Sequence, residues 1–140
     1  MIDRTTLRDI LYAHDADIAD LPFWEGCEQD EFRLMRCATC GRHYWPAAQC
    51  VDHGGSAMEW VAASGRGKVH VHTVIRRGRS PATGQDAPFA VAVVELEEGP
   101  FFHANIVGIP FEEVKAGLPV EAEFTTHENG MRVPVFRKAD

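Results

Sequence analysis

Cys37-Ala38-Thr39-Cys40-Gly41 restricts what this chain can fold into more than any other stretch of it. Two sulfurs separated by two residues can face one ion because the intervening turn points both inward. A glycine just after the second lets the backbone enter the left-handed region that closes such a knuckle. Cys50-Val51-Asp52-His53-Gly54 repeats the outline with an imidazole in the last place. Together the two halves predict one tetrahedral Zn²⁺ held by Cys37, Cys40, Cys50 and His53, with Asp52, His43 or Cys27 as alternatives for the fourth position. Four ligands leave no open coordination position, so the expected role of the metal is structural. A redox reading fails on context: a thioredoxin-type pair opens a helix after a buried strand in a βαβ pattern, and no such strand precedes Cys37.

On either side of this module the residue pattern changes. Upstream, Leu7, Ile10, Leu11, His14 and Ile18 recur at steps of three and four, the spacing of one helix face from Thr5 to Ile18. Asp3, Thr5 and Thr6 can each serve as N-cap, and Pro22 marks a break after Leu21. A second short helix around residues 23–30 would set Phe23, Trp24 and Cys27 near one side. Downstream, strands are expected near 58–63, 69–75, 90–96, 101–107, 120–126 and 131–137, the last two joined through the hairpin signal Glu128-Asn129-Gly130. A short helix is expected over 110–117. Several short strands with one helix before the last pair predict a five-stranded Greek-key barrel of the OB type. The chain is therefore expected to be mainly β, with a helical arm over 1–31, a zinc ribbon over 32–56 and the barrel over 57–140.

The 140 residues, 45% hydrophobic and 25% charged, supply one domain and a small appendage but not two full domains. A core of that size stands without cross-links, so the metal is expected to organise a part rather than the whole. No apolar run follows a basic stretch at the start, and nowhere does the sequence hold the roughly 20 apolar residues that span a bilayer. A cytoplasmic protein is expected, in which four cysteines point to metal binding or buried thiols before disulfides. The net charge of −7 is uneven: residues 1–31 carry nine acids and two bases, and the remainder is neutral. An acidic arm on a neutral body opposes the broad basic footprint that duplex binding needs.

Motifs for chemistry do not assemble. Ser64-Gly65-Arg66-Gly67-Lys68-Val69 has one residue between its glycines and a Val after the Lys, so it reads as a turn into a strand and not as a phosphate loop. No Gly-x-Ser-x-Gly is present. His70 and His72 alternate on a strand as a solvent-facing surface, and His103 and His127 have no partner at a recognisable spacing. Two binding features remain. Arg76, Arg77 and Arg79 cluster in one polar loop and could clamp a phosphate-bearing ligand such as coenzyme A, against the plainer reading of a solvated loop. Phe23, Trp24, Phe32, Tyr44 and Trp45 crowd the first 45 residues, either as a partner or ligand surface carried by Phe23 and Trp24 or as core packing between arm, ribbon and barrel.

The combination of Phe23-Trp24-Glu25-Gly26, Phe32-Arg33-Leu34-Met35-Arg36-Cys37-Ala38-Thr39-Cys40-Gly41, Pro46 and Cys50 with Trp60 to Val69, Pro88 to Ala92 and Leu96-Glu97-Glu98-Gly99 resembles a known family. It is the zinc-ribbon plus OB-fold family of acyl-CoA-associated proteins, long catalogued as a domain of unknown function. The resemblance runs from about residue 20 to the C-terminus. It implies a helical arm, a rubredoxin-like ribbon and an OB barrel. It also implies a non-catalytic subunit of a hetero-oligomer, bound to a thiolase-like, aldolase or hydratase enzyme and helping to accommodate its acyl-CoA. One departure stands out: family members with a full metal site usually end in Cys-x-x-Cys, where this chain has Cys50-x-x-His53. Rubredoxin-like sites take zinc or iron, and the imidazole favours zinc. A single-stranded nucleic-acid binder is the alternative from another class, since OB barrels and zinc ribbons both serve that purpose. An enzyme in its own right ranks third, for want of a paired nucleophile and base.

Overall fold

The computed structural model describes residues 2–13 and 18–140. Helix α1, Arg4–Ala13, starts where the Asp3 carboxylate accepts the Thr6 N–H at 2.8 Å, so of the three candidate caps Asp3 does the work. It buries Leu7 and Leu11. The expected continuation of this helix through His14 lies outside the described residues, and Ile18–Asp20 forms a 3-10 turn. Helix α2, Leu21–Glu28, begins two residues earlier than expected because Pro22 sits in its first turn, where a missing N–H costs nothing and the fixed φ suits the helix.

Strands β1 (Arg33–Cys37), β2 (His43–Tyr44) and β3 (Met58–Ala62) form an antiparallel sheet in the order β2-β1-β3. This corrects the boundary at residue 57. The strand expected to open the barrel instead pairs along the whole of β1, from Arg33↔Ala62 to Cys37↔Met58. It is the return strand of the ribbon. The barrel proper begins at Arg66, with β4 (Arg66–Ile75), β5 (Phe89–Leu96), β6 (Phe101–Val107), β7 (Pro119–Thr126) and β8 (Arg132–Lys138). Its order is β4-β5-β6-β8-β7, closed by β7 against the first residues of β4, with β6 and β8 parallel. The arrangement is the five-stranded Greek-key barrel that the strand spacing predicts.

Strand β4 serves two neighbours, β5 along its length and β7 at its start, and curves through a register shift between Val69 and Val71. Gly67 lies in that doubly paired stretch, and a Cβ there would stand 2.4 Å from the Glu95 carbonyl oxygen, which only a glycine avoids. The helix expected over 110–117 is a single 3-10 turn, Phe111–Glu113, because Val114 already turns extended and inward with φ −76° and ψ 126°. Val114 and Leu118 are both buried in the core.

One core joins the three parts. Phe23 of α2 packs edge-on to Phe32 at 5.4 Å and against Trp45 at 4.0 Å, while Phe32 meets Phe102 at 5.2 Å and Phe136 at 6.0 Å. The rings run without interruption from arm through ribbon to barrel. A second cluster, Leu7, Leu11, Leu21 and Met131, seats α1 on the β7–β8 turn. There the buried Glu28 carboxylate accepts the N–H groups of Ile2 at 2.9 Å and Arg132 at 2.6 Å, tying the start of the arm to the start of β8.

Candidate functional site

Each half of the cysteine cluster is a tight turn held by its own backbone. Gly41 N–H donates to the Cys37 carbonyl at 2.7 Å, and Cys50 and Gly54 exchange N–H···O bonds at 3.1 and 2.9 Å. Gly41 and Gly54 stand at φ +78° and +67°, the left-handed conformation for which glycine follows each knuckle. The four donor atoms of Cys37, Cys40, Cys50 and His53 all lie within 4.8 Å of one another. A zinc ion with Zn–S near 2.3 Å and Zn–N near 2.0–2.1 Å in a regular tetrahedron requires S···S edges of about 3.8 Å and S···N edges of about 3.6 Å. The structure has Cys40 Sγ to Cys50 Sγ at 3.7 Å, and His53 Nδ1 at 3.6 Å from Cys37 Sγ and 3.5 Å from Cys50 Sγ. The set fits structural zinc, with Nδ1 of the imidazole as the facing nitrogen.

The electrostatics draw down two of the three thiols, Cys37 and Cys50, whereas Cys40 is raised: the Arg42 N–H draws it down, but desolvation and the neighbouring Cys50 and Cys37 outweigh it. The Cys37 thiol is held below its ordinary range by the backbone N–H groups of Cys40 and Thr39. Cys50 is drawn down to about 6, first by the Tyr44 hydroxyl, then by the Asp52 N–H and by His53. His53 is raised, chiefly through its bond to Cys50. The alternatives for the fourth position stand apart. Cys27 is fully buried in the main core, where desolvation pushes its thiol well up, and neither His43 on β2 nor Asp52 joins the cluster. Tyr44 is the participant the residue pattern does not mark: the sequence groups it only with the other aromatics, and no spacing rule ties a tyrosine to a knuckle six residues on.

The arginines lie in the exposed loop between β4 and β5. Arg76 rests over the Phe111 ring at 5.8 Å, and Arg79 Nε donates to the Gly84 carbonyl at 2.8 Å. Two of the three guanidiniums thus have separate partners within the chain and are not gathered in one clamp. The loop is fastened to the β7–β8 turn, where Glu128 N–H donates to the Pro81 carbonyl at 2.9 Å. Phe23 departs from the surface reading: at 0% exposure, its ring is enclosed by Trp24, Phe32, Trp45 and Phe102, so it is core and offers nothing to a ligand. Trp24 is half-buried and keeps a face on a groove of 260 Å³ with Ile10, Leu11, Met131 and Val133.

Serine–histidine chemistry finds no support among the described residues. The Ser64 hydroxyl is within 3.3 Å of Glu98 and accepts the Arg66 N–H, and the Ser80 hydroxyl accepts the Thr83 N–H. What does emerge is a surface. On the outward side of the barrel the cross-strand rows are Val71, Val93 and His103, then Thr73, Val91 and Asn105. Beside them Phe101 meets His70 at 5.0 Å between ring centroids. Val71 is 52% and Phe101 48% exposed. None of these side chains is an acid, lysine or arginine; the nearest pair, Lys68 with Glu95 at 3.6 Å, borders the patch. The sequence hid this face, because Ala90-Val91-Ala92-Val93-Val94 is apolar on both sides of the strand. Among the described residues, no helix is long and apolar enough to cross a membrane.

Comparison with known proteins agrees with this geometry. A family model described as the ChsH2 rubredoxin-like zinc ribbon domain matches residues 24–51, and one described as the ChsH2 C-terminal OB-fold domain matches residues 60–125. A protein of Thermomonospora curvata named as a probable enoyl-CoA hydratase alpha subunit is 35% identical over 123 residues, 86% of this chain and 38% of that protein. A DUF35 domain-containing scaffold protein of Methanocaldococcus jannaschii is 34% identical over 92 residues, 64% of each. The chain thus spans less than two thirds of the length of both. Among solved structures, a chain described as the Ltp2-ChsH2(DUF35) aldolase superposes with a TM-score of 0.78 at 30% identity, over 89% of this chain and 97% of that one.

Proposed function

Because the chain belongs to the ChsH2 family of rubredoxin-like zinc ribbons joined to OB-fold barrels, the DUF35 proteins, we propose that it is a non-catalytic subunit of an acyl-CoA enzyme. The companion is a thiolase-like, aldolase or hydratase protein. Relatives named as a hydratase alpha subunit, as a scaffold protein and as part of an aldolase support the class of companion. The observation that carries the reading is the outward face of β4, β5 and β6, with Val71 and Phe101 half exposed and no charged side chain in its two central rows. Interface centres are depleted in charge and enriched in aromatics, with polar rims, and this patch has that make-up. The same face carries oligonucleotides in other OB barrels, yet its two central rows here hold none of the lysines and arginines that track a phosphate backbone, Arg66 and Lys68 lying at the start of β4.

The test is purification at native abundance. A thiolase-, aldolase- or hydratase-type protein is expected to accompany the chain, and to be lost from the double variant Val71→Asp/Phe101→Asp while the barrel stays folded. A chain that elutes alone, or that turns over an acyl-CoA thioester with no companion present, overturns the proposal. Within the complex, the loop carrying Arg76, Arg77 and Arg79 is assigned to the phosphates of the acyl-CoA, with Arg77 contributing as an exposed guanidinium and the other two through their outer N–H groups. Replacing all three by Ala should weaken CoA-thioester binding by the complex. Unchanged affinity in a calorimetric titration removes the loop from the site.

A further inference from the structure

The second knuckle has little regular structure to hold it. Residues 45–57 contain no strand or helix; past Trp45, whose ring packs on Phe23 and Phe102, their hydrogen-bonded ties to the rest are few: Ala47 N–H to the Asp20 carboxylate at 2.8 Å, Ala48 N–H to the Met35 sulfur at 3.4 Å, and the Ala57 carbonyl to the Ala38 N–H at 2.8 Å. None of these touches Cys50 or His53, which meet the first knuckle only through the ligand atoms of Cys40 and Cys37. Tyr44 reaches the residue beside Cys50. Its backbone is fixed on β2 opposite Met35 of β1, and its ring lies under the Arg42 guanidinium, 5.5 Å from the ring centroid. From there the hydroxyl oxygen accepts the Val51 N–H at 3.1 Å. Val51 directly follows Cys50, so this bond joins β2 to the turn that carries the ligand.

We propose that Tyr44 is a positioning residue of the metal centre, whose hydroxyl clamps the second knuckle to the first by holding the Val51 N–H beside Cys50. The clamp keeps Cys50 near its final place before metal arrives, which lowers the ordering cost of binding.

The readout is zinc affinity by chelator competition. Tyr44→Phe keeps the ring, its packing and the guanidinium stack and removes only the hydroxyl. It is expected to bind zinc roughly 2- to 10-fold more weakly, the range for one lost hydrogen bond, with the zinc-saturated protein unchanged in near-ultraviolet dichroism. Arg42→Ala keeps the hydroxyl and should leave the affinity as it was. Wild-type affinity in Tyr44→Phe, or an equal loss in Arg42→Ala, overturns the proposal. Should Tyr44→Phe not fold, the chain's two tyrosines allow a second measurement. With 3-fluorotyrosine at both, the ¹⁹F resonance of Tyr44 is expected to move when Cd²⁺ replaces Zn²⁺ while that of Tyr12 on α1 stays. A Tyr44 resonance indifferent to the metal overturns the proposal equally.

Discussion

Ribbon and barrel lie against each other and are held by different physics. From Cys37 to Ala57 only the two ligands Cys37 and Cys50 are buried, and most of the other side chains face water. The barrel has an apolar interior, with Val69, Val94, Val120, Val135 and Phe136 all at 2% exposure or less. One ion does for some twenty residues what dispersion and the hydrophobic effect do for the other seventy or so. The two regions meet at Phe32, which stands one residue before β1 and yet belongs to the barrel core through Phe102 and Phe136. The difference predicts that each region has its own way to fail, and that failure of the ribbon stops at Phe32.

The largest effect is expected from the barrel side. Phe136 is completely buried, on the parallel-paired part of β8 opposite Ile106, with Phe32 and Phe102 on its ring. Phe136→Ala removes that ring from a close-packed surround and should cost about 3–5 kcal/mol in denaturant unfolding. Because the aromatic column also seats Phe23 of the arm, the loss should appear at the same denaturant concentration by helix and strand signals. A cost under about 1 kcal/mol, or separate transitions for arm and barrel, breaks the picture of one shared core.

What could be read from the residues divides along the same line. The metal set was legible because knuckle geometry is local: Cys37, Cys40, Cys50 and His53 need only their neighbours and the glycines after them to form the turns. The barrel strands were legible from alternation, and the β7–β8 turn from Asn129-Gly130, where Gly130 does adopt φ +92°. Partnership was not legible. Met58–Ala62 alternates as well for a ribbon as for a barrel, and only the pairing with β1 decides between them. Phe23 and Trp24 are adjacent and chemically alike, but one turns into the core and the other lies at its edge, which depends on a helix direction set by tertiary contacts. Tyr44 acts across the gap between two knuckles, a relation that exists only once both are folded.

The ribbon side yields a local effect, and the comparison stands or falls on how far it spreads. Cys40→Ser takes one thiolate from the tetrahedron and leaves three donors, with the 3.7 Å edge to Cys50 no longer a metal–sulfur pair. Zinc stoichiometry should fall from one per chain, and the stretch from Cys37 to His53 should lose amide-exchange protection, because its turns have no apolar core of their own. Spread is limited by two contacts that owe nothing to the ion: the Ala63 N–H bond to the Phe32 carbonyl at 2.8 Å, and the burial of Phe32 among barrel rings. Strand dichroism and the denaturation midpoint of the barrel should therefore stay near those of the wild type, and prolonged chelation should reproduce the pattern without a mutation. A variant that binds one zinc and keeps native near-ultraviolet dichroism refutes the ligand assignment. A variant whose barrel unfolds with the ribbon refutes the division between them, and makes the ion a determinant of the whole fold.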